Sequence, residues 1–308
     1  MKVGLIDVDG HNFPNLPLMK LSAYHKKLGD QTGFYNPWDG IVEPYDVVYM
    51  SKVFSFTPDY QAPIYAAEVH RGGSGYCIDL EDGKEVFHLE RDRNLPDEIE
   101  HIYPDYELYH ESRAIGFLTR GCPRGCGFCH VASKEGKCSY KVANLDEFWR
   151  GQKEICLCDP NLLACTDHMD LLQQLVDTKA KVDFNQGLDV RMITDKNLEL
   201  LRQVKLKMIH FAYDRYQDKQ IVEPRLKAFQ EATGYGRGKV LVYILCNYDT
   251  TLEQDLERIA YVRSLGFSPY VTVYDLAHAD PIYKKLQRWC NNYYVFWAEP
   301  DFRRYQKK

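Results

Sequence analysis

The chain has 308 residues, and its 39 basic and 44 acidic side chains give a formal net charge of -5. A hydrophobic content of 45% with a mean hydropathy of -0.46 allows a buried core, which excludes a disordered or fibrous protein. The sequence shows neither a run of about 18 apolar residues nor a signal-peptide pattern. We therefore expect a cytoplasmic protein of one large or two small domains, without a membrane partner. The mild negative charge argues against a broad nucleic-acid-binding surface.

Residues 1–108 predict a small α/β domain. Lys2–Val8 and Val47–Met50 are short apolar strand patterns, and the apolar positions between residues 18 and 28 share one helical face. The acidic segment 97–107 is typical of a connection. This order of elements is Rossmann-like, and we place the end of the domain near residue 108.

Residues 109–292 alternate regularly between strand and helix patterns. The predicted strands are Ala114–Thr119, Glu154–Cys158, Lys181–Phe184, Lys207–Ala212, Lys239–Leu245 and Pro269–Tyr274. The predicted helices are Leu145–Arg150, Asp167–Thr178, Asp195–Val204, Asp218–Ala232, Leu252–Leu265 and Pro281–Cys290. Six such units predict parallel strands and are too few for a closed eight-stranded barrel, so we predict a partial (β/α)6 barrel. Residues 293–308 would form a C-terminal tail, and functional residues would follow the strands.

Three of the ten cysteines are clustered directly after the first strand of this barrel. Cys122, Cys126 and Cys129 lie within eight residues, in a loop that also contains Gly121 and Gly125. Three thiolates in one flexible loop can converge on a single iron–sulfur or zinc centre. A 4Fe–4S cluster held by three cysteines leaves one iron open to an external ligand.

Three other interpretations of the loop remain open. Structural zinc could be held by the three cysteines and His130, although such sites usually combine two separate segments. The sequence from Cys126 to His130 matches the C-x-x-C-H pattern of covalent haem attachment, a reaction that normally takes place outside the cytoplasm. A thioredoxin-like redox pair would need only two of the three cysteines.

The Cys-x3-Cys-x2-Cys spacing, with Phe128 just before the last cysteine, resembles the signature of the radical SAM superfamily. The resemblance covers roughly residues 110–290. It implies an oxygen-sensitive enzyme in which Cys122, Cys126 and Cys129 hold a 4Fe–4S cluster and S-adenosylmethionine binds the open iron. Reductive cleavage would then give methionine and a 5′-deoxyadenosyl radical that abstracts hydrogen from a substrate. The implied reductant is a protein such as flavodoxin or ferredoxin.

The same resemblance suggests where the cofactor binds. Phe128 is expected near the adenine, and Asn161, after the second strand, lies where the methionine amine would be bound. The superfamily often has a Gly-Gly-Glu-like element there, from which this sequence departs. Gln186, Asp189 and Arg191 follow the third strand and are expected to bind ribose hydroxyls and the methionine carboxylate. The alternative for these three residues is a surface turn with a salt bridge.

The segment that begins at Asp9 resembles the Asp-x-His-x-x-Gly element of cobalamin-binding domains, in which the histidine ligates cobalt. His11 occupies that position here, but Pro14 replaces the glycine and the domain is too short to be complete. We therefore expect a degenerate domain without cobalamin that covers the barrel mouth. In the alternative, Asp9 and Asn12 only cap the first helix. Asp9 and His11, together with Tyr213 and Asp214 after the fourth strand, are candidate substrate contacts.

The remaining cysteines permit two interpretations. Cys138, Cys156, Cys158 and Cys165 could bind an auxiliary cluster, but buried cysteine is also common in protein cores.

The reaction is expected to be a modification such as methylation or methylthiolation of a small molecule, peptide or nucleic acid. The alternatives are a cobalamin-dependent radical SAM methyltransferase and a non-catalytic adaptor that binds zinc or another metal.

Overall fold

A computed structural model describes residues 1–10, 13–81 and 84–306. The chain forms two compact units, which we call unit 1 and unit 2. Unit 1 comprises Met1–Gly116, Gly121–Cys138 and Ala143–Lys153, and unit 2 comprises Phe117–Arg120, Ser139–Val142 and Glu154–Lys308. The domain bounds predicted from the sequence stay a prediction. No helix in the described part of the chain is long and apolar enough to cross a membrane.

Unit 1 contains a four-stranded parallel sheet in the order β2-β1-β3-β4. Its elements are β1 (Lys2–Asp7), α1 (Leu16–Lys27), β2 (Gln31–Phe34), α2 (Pro37–Val42), β3 (Tyr45–Ser51), β4 (Ala66–Gly72), the antiparallel pair β5 (Ile78–Glu81) and β6 (Lys84–Phe87), α3 (Asp97–Glu100), β7 (Ala114–Gly116) and α4 (Val131–Glu135). Val3 and Leu5 of β1 pack with Leu18 of α1 and Val47 of β3. The apolar alternation that predicts β1 and β3 therefore forms this core.

Asn15 caps the first helix, so the alternative in which Asp9 caps it is wrong. The Asn15 side chain accepts a hydrogen bond from the Leu18 amide at 3.3 Å. The Asp9 carboxylate accepts hydrogen bonds from the Val53 amide at 2.5 Å and the Thr57 hydroxyl at 2.7 Å. Asp9 therefore joins the end of β1 to the loop that follows β3. His11 and Asn12 lie outside the described residues.

Unit 2 is built on parallel strands that lie side by side in chain order. Its elements are β8 (Thr119–Arg120), β9 (Tyr140–Lys141), β10 (Glu154–Leu157), α5 (His168–Thr178), β11 (Lys181–Leu188), α6 (Asp195–Gln203), β12 (Leu206–Ala212), α7 (Lys219–Thr233), β13 (Val240–Cys246), α8 (Leu252–Ser264), β14 (Ser268–Val273), α9 (Pro281–Asn291) and α10 (Tyr293–Ala298). Strands β10 to β14 are all parallel, each pairing with the next. The mixed α/β class with parallel sheets is confirmed, and closure into a partial barrel stays a prediction.

Two predicted elements are wrong. The strand expected over Ala114–Thr119 ends at Gly116, and Thr119–Arg120 instead pairs antiparallel with β9. The reason is that the Leu118 and Thr119 amides donate to the Asp159 carboxylate and are not available to a parallel ladder. The helix expected over Leu145–Arg150 is a 3-10 turn of three residues. It ends before Gly151, whose φ of 94° is incompatible with a helix.

Candidate functional site

The three clustered cysteines lie in a loop that is closed by its own backbone. The Cys122 amide donates to the Gly136 carbonyl at 3.2 Å, and the Gly121 amide donates to the Glu135 carboxylate at 3.0 Å. We call residues 121–136 the cysteine loop. Gly121 has a φ of 78°, and a side chain there would collide with the carbonyl oxygen of Cys138. Glycine is therefore required where the loop begins.

A tight turn brings the second and third cysteines together. The Cys129 amide donates to the Cys126 carbonyl at 3.0 Å, which closes a four-residue turn around Gly127 and Phe128. Cys122, Cys126 and Phe128 are partly buried, and Cys129 is exposed. The loop thus carries three possible sulfur ligands within eight residues of chain. Three cysteine thiolates are a suitable donor set for an iron–sulfur cluster.

The helix that ends the cysteine loop is attached to the rest of unit 1. Lys134 of α4 donates to the Ser74 hydroxyl at 2.6 Å. His130, just before α4, places Nε2 at 3.2 Å from a carboxylate oxygen of Glu85. His130 is the fourth ligand of the zinc alternative, and in this arrangement its Nε2 is directed at a carboxylate.

Two short strands in unit 2 flank the cysteine loop in the chain, and a buried aspartate holds them. β8 ends at Arg120, and its partner β9 follows the loop. One oxygen of Asp159, Oδ1, accepts hydrogen bonds from the Leu118 amide at 3.0 Å, the Thr119 amide at 2.5 Å and the Thr119 hydroxyl at 2.7 Å. On the other strand, the Ser139 hydroxyl donates to the Asn161 carbonyl at 2.9 Å. We call β8 and β9 the stem. The segment after β10 therefore holds both strands of the stem.

The electrostatics of Asp159 differ from those of an ordinary carboxylate. The side chain is 3% exposed, and Oδ2 has no hydrogen-bond partner within the described residues. Burial raises its pKa to about 6, against the opposing effect of the hydrogen bonds from Thr119 and Leu118. The sequence analysis chose Asn161 in this segment as a cofactor contact and did not predict that Asp159 holds the Leu118 and Thr119 amides. The available signal was an acidic residue that directly follows a buried apolar strand.

The expected cofactor contacts after β11 are arranged around a bulge. Between Phe184 and Leu188 the register with β12 shifts, and Gly187 within the shift has a φ of 101°. The bulge leaves Gln186 exposed. Bulges are common beside functional sites because they redirect side chains. The role of Gln186 in binding ribose stays a prediction.

Asp189 and Arg191 contact each other directly. Nε of Arg191 lies 2.7 Å from Oδ1 of Asp189, Nη2 lies 3.1 Å from Oδ2, and Nη1 lies 2.5 Å from a carboxylate oxygen of Asp218. This is the salt-bridged turn that the sequence left open as an alternative. The two carboxylates hold the guanidinium in one orientation, with donors left over for a further ligand. Cofactor binding by this pair stays a prediction.

Tyr213 and Asp214 follow β12 and are held by neighbouring elements of unit 2. The Tyr213 hydroxyl donates to Glu223 of α7 at 3.1 Å, and the ring is 1% exposed. Asp214 accepts a hydrogen bond from the Leu245 amide at 3.1 Å, and burial raises its pKa to about 6. These contacts explain the positions of both residues, and a role in substrate binding stays a prediction.

A buried arginine joins the ends of β12 and β13. Arg258 of α8 is fully buried and donates to the Tyr213 carbonyl at 2.5 Å and to the Leu245 carbonyl at 2.8 Å. It also forms an ion pair with Asp255, and the other carboxylate oxygen of Asp255 accepts from the Asn247 amide at 3.4 Å. Arg258 therefore fixes the strand ends that carry two of the predicted contacts.

The other cysteines occupy varied environments. Cys156, Cys158 and Cys165 are buried in unit 2, and Cys138 of unit 1 is exposed. The thiols of Cys156 and Cys158 contact each other, and burial together with this contact raises the pKa of Cys158. Cys246 and Cys290 are also buried, as expected of cysteines used in a core. An auxiliary cluster stays an alternative.

Comparison with known proteins finds a distant likeness of fold. No protein-family model matches the chain, and no curated protein matches it. Among solved structures it is similar to SuiB of Streptococcus suis, with 14% identity, a TM-score of 0.42, and coverage of 60% of this chain and 46% of SuiB. SuiB bound to S-adenosylmethionine has 14% identity and a TM-score of 0.41, with coverage of 60% of this chain and 47% of SuiB. SuiB bound to the precursor peptide SuiA has 13% identity and a TM-score of 0.41, with coverage of 67% of this chain and 53% of SuiB. The chain spans about half the length of SuiB.

Proposed function

We propose that this protein is a radical SAM enzyme that uses a 4Fe–4S cluster held by Cys122, Cys126 and Cys129. The observation that carries the proposal is the Cys-x3-Cys-x2-Cys spacing in a loop closed at both ends, with a turn between the last two cysteines. Three sulfur ligands in one loop suit an iron–sulfur cluster and leave one iron without a protein ligand. When bound, the cluster supplies the electron that cleaves S-adenosylmethionine to methionine and a 5′-deoxyadenosyl radical.

The chain's own residues then have three tasks. The loop backbone, with glycine at Gly121 and a turn from Cys126 to Cys129, carries the three cysteines. Asp159 and the Asn161 carbonyl hold the stem strands, and the stem determines where the loop begins and ends. Asp189 orients Arg191, whose remaining N–H groups suit the carboxylate of methionine.

The substrate is proposed to be modified at a C–H bond, and the electron donor is proposed to be a flavodoxin-like or ferredoxin-like protein. Cobalamin is not part of the proposal. Unit 1 has a parallel sheet of four strands, and Asp9, the first residue of the cobalamin-like element, is engaged by Val53 and Thr57.

The proposal is tested by cluster content and cofactor cleavage. We expect about four iron atoms per chain after purification and reconstitution without oxygen, and 5′-deoxyadenosine when dithionite and S-adenosylmethionine are added. Alanine at Cys122, Cys126 or Cys129 should abolish both. Alanine at the exposed Cys138 is the matched control and should change neither.

Two results would contradict the proposal. Zinc in place of iron in the unaltered protein would return it to a structural metal-binding protein. Cleavage that survives loss of any one of the three cysteines would show that the cysteine loop is not the cluster site.

A further inference from the structure

The helices that connect the strands of unit 2 lie on one face of its sheet. Because β10 to β14 lie in chain order and are parallel, right-handed crossovers place all the connecting helices on the same face. Alternate residues on that face are apolar and buried, among them Val182, Phe184, Ile209, Phe211, Val240, Val242 and Val271. The residues between them point to the opposite face.

This opposite face carries a row of polar and aromatic side chains. The strand register aligns Asp183 with Met208, His210 with Leu241, and Tyr243 with Tyr270. Asp183, His210, Tyr243 and Tyr270 therefore share one face across four neighbouring strands. We call these four residues the polar row.

Contacts run along the whole polar row. A carboxylate oxygen of Asp183 lies 3.9 Å from Nδ1 of His210. The rings of His210 and Tyr243 stack with centroids 5.4 Å apart and planes 14° apart, and Tyr243 meets Tyr270 edge-on at 5.7 Å. The row is thus an organised cluster rather than four separate surface residues.

The hydrogen bond of His210 determines what its ring can offer. Nδ1 lies 2.9 Å from the Phe184 carbonyl oxygen, which can only accept, so Nδ1 carries the proton. In the neutral ring Nε2 is then an acceptor. Within the described residues Nε2 has no hydrogen-bond partner, although His210 is only 6% exposed. Nε2 is therefore an acceptor that a donor group of a ligand can use.

The side chains that contact the His210 ring favour one class of donor. The Tyr243 hydroxyl also has no partner in the described part of the chain, and its ring presents an aromatic edge and face. Asp183 supplies a carboxylate that is 15% exposed. A carboxylate, an imidazole acceptor, a phenol oxygen and aromatic faces together suit a small organic cation with several N–H donors.

We propose that Asp183, His210 and Tyr243 bind a primary ammonium group. The group would donate to Nε2 of His210 and to the Tyr243 hydroxyl, and the Asp183 carboxylate would balance its charge. The chemistry is the same whether the ammonium belongs to a free amine or to a side chain of a peptide. Binding does not depend on the proposed radical chemistry, because no cluster is needed to hold an amine.

The experiment measures binding of n-butylammonium to the full chain by NMR, with n-butanol as the uncharged isostere. We expect saturable binding with a dissociation constant of about 1–10 mM, as for a ligand of this size, and binding of butanol at least about tenfold weaker. Nα-acetylornithine amide carries the same group on a peptide unit. Tighter binding of the ornithine derivative than of butylammonium would identify a peptide side chain as the source, and the reverse would identify a free amine.

Substitutions in the polar row test whether butylammonium binds there. Asp183→Asn should weaken butylammonium binding about tenfold, and Tyr243→Phe, which keeps the ring, about threefold to tenfold. Tyr294→Phe, at a position 83% exposed on α10, is the matched control and should leave binding unchanged. Cys126→Ala should also bind normally, so a failure of the radical SAM proposal would leave this result intact.

A measurement on the unaltered protein tests the proposal even if the variants misfold. In the unaltered protein, the 15N resonance of His210 Nε2, identified from its loss in His210→Asn, should move on saturation with butylammonium. An unmoved resonance, equal binding of butanol, or full binding by both Asp183→Asn and Tyr243→Phe would overturn the proposal.

Discussion

Asp159 allows a direct test of how the stem, formed by β8 and β9, is held. Its folded pKa is raised by burial to about 6, from an ordinary value of 3.8. The folded protein therefore binds this proton more tightly than the unfolded chain does. Between these two pH values the free energy of unfolding falls as pH rises, and above about pH 6 the contribution is constant. A difference of about two pKa units corresponds to about 3 kcal/mol.

Asp159→Asn removes this titration and keeps an oxygen that can accept the hydrogen bonds from Leu118 and Thr119. Its amide nitrogen would lie where Oδ2 has no partner, which adds a constant cost of about 1–3 kcal/mol. The stability of the variant relative to the unaltered protein should therefore increase by about 2 kcal/mol between pH 4 and pH 7. The constant cost does not affect this change.

The assay is urea unfolding followed by circular dichroism at a series of pH values, without oxygen and with reductant. Asp159→Ala is the comparison, because it leaves two amide N–H groups without their acceptor. We expect a loss of about 3–5 kcal/mol for it and faster amide exchange over 117–120. Parallel stability curves for the unaltered protein and Asp159→Asn would refute the reasoning, since the carboxyl would then titrate alike in both states.

Two further predictions concern backbone geometry and buried charge. Gly121→Ala should lower iron per chain to less than about half while far-UV circular dichroism is unchanged, because the new methyl group meets the Cys138 carbonyl. Gly125→Ala, with open space around it, should retain more iron. Equal losses of iron in the two variants would contradict this prediction. Arg258→Met should lower the free energy of unfolding by about 3–5 kcal/mol, since it leaves Asp255 buried without its cation. Thermal and urea unfolding measure this loss. The loss should be smaller in the double variant Arg258→Met with Asp255→Leu, and an equal loss would show that the unpaired Asp255 carboxylate is not its cause.

The parallel strands and helices of unit 2 were predictable because their signals are local. Strands β10, β12, β13 and β14 consist mainly of apolar residues, and each helix from α5 to α9 has a turn residue or cap before it. At Thr251, for example, the side chain accepts from the Gln254 amide at 3.3 Å and caps α8. Such patterns depend on neighbours in the chain, so they can be read without the fold.

Two errors in the predicted strands arise from tertiary structure and not from neighbouring residues. The strand at Ala114 ends early because Asp159, about 40 residues away, takes the amides of Leu118 and Thr119. β4 was missed because it is an edge strand with polar residues, and its apolar pattern is weak. These features follow from tertiary contacts, which a pattern of neighbouring residues does not contain.

The same division holds for the candidate sites. The three cysteines are identified by spacing, because their ligand geometry is built within one loop of the chain. The polar row is different, since Asp183, His210 and Tyr243 come from separate strands and each is an isolated polar residue in an apolar run. Only the register of β11, β12 and β13 places them together. A sequence motif therefore locates the proposed cluster, whereas the proposed amine site is visible only after the strands are aligned.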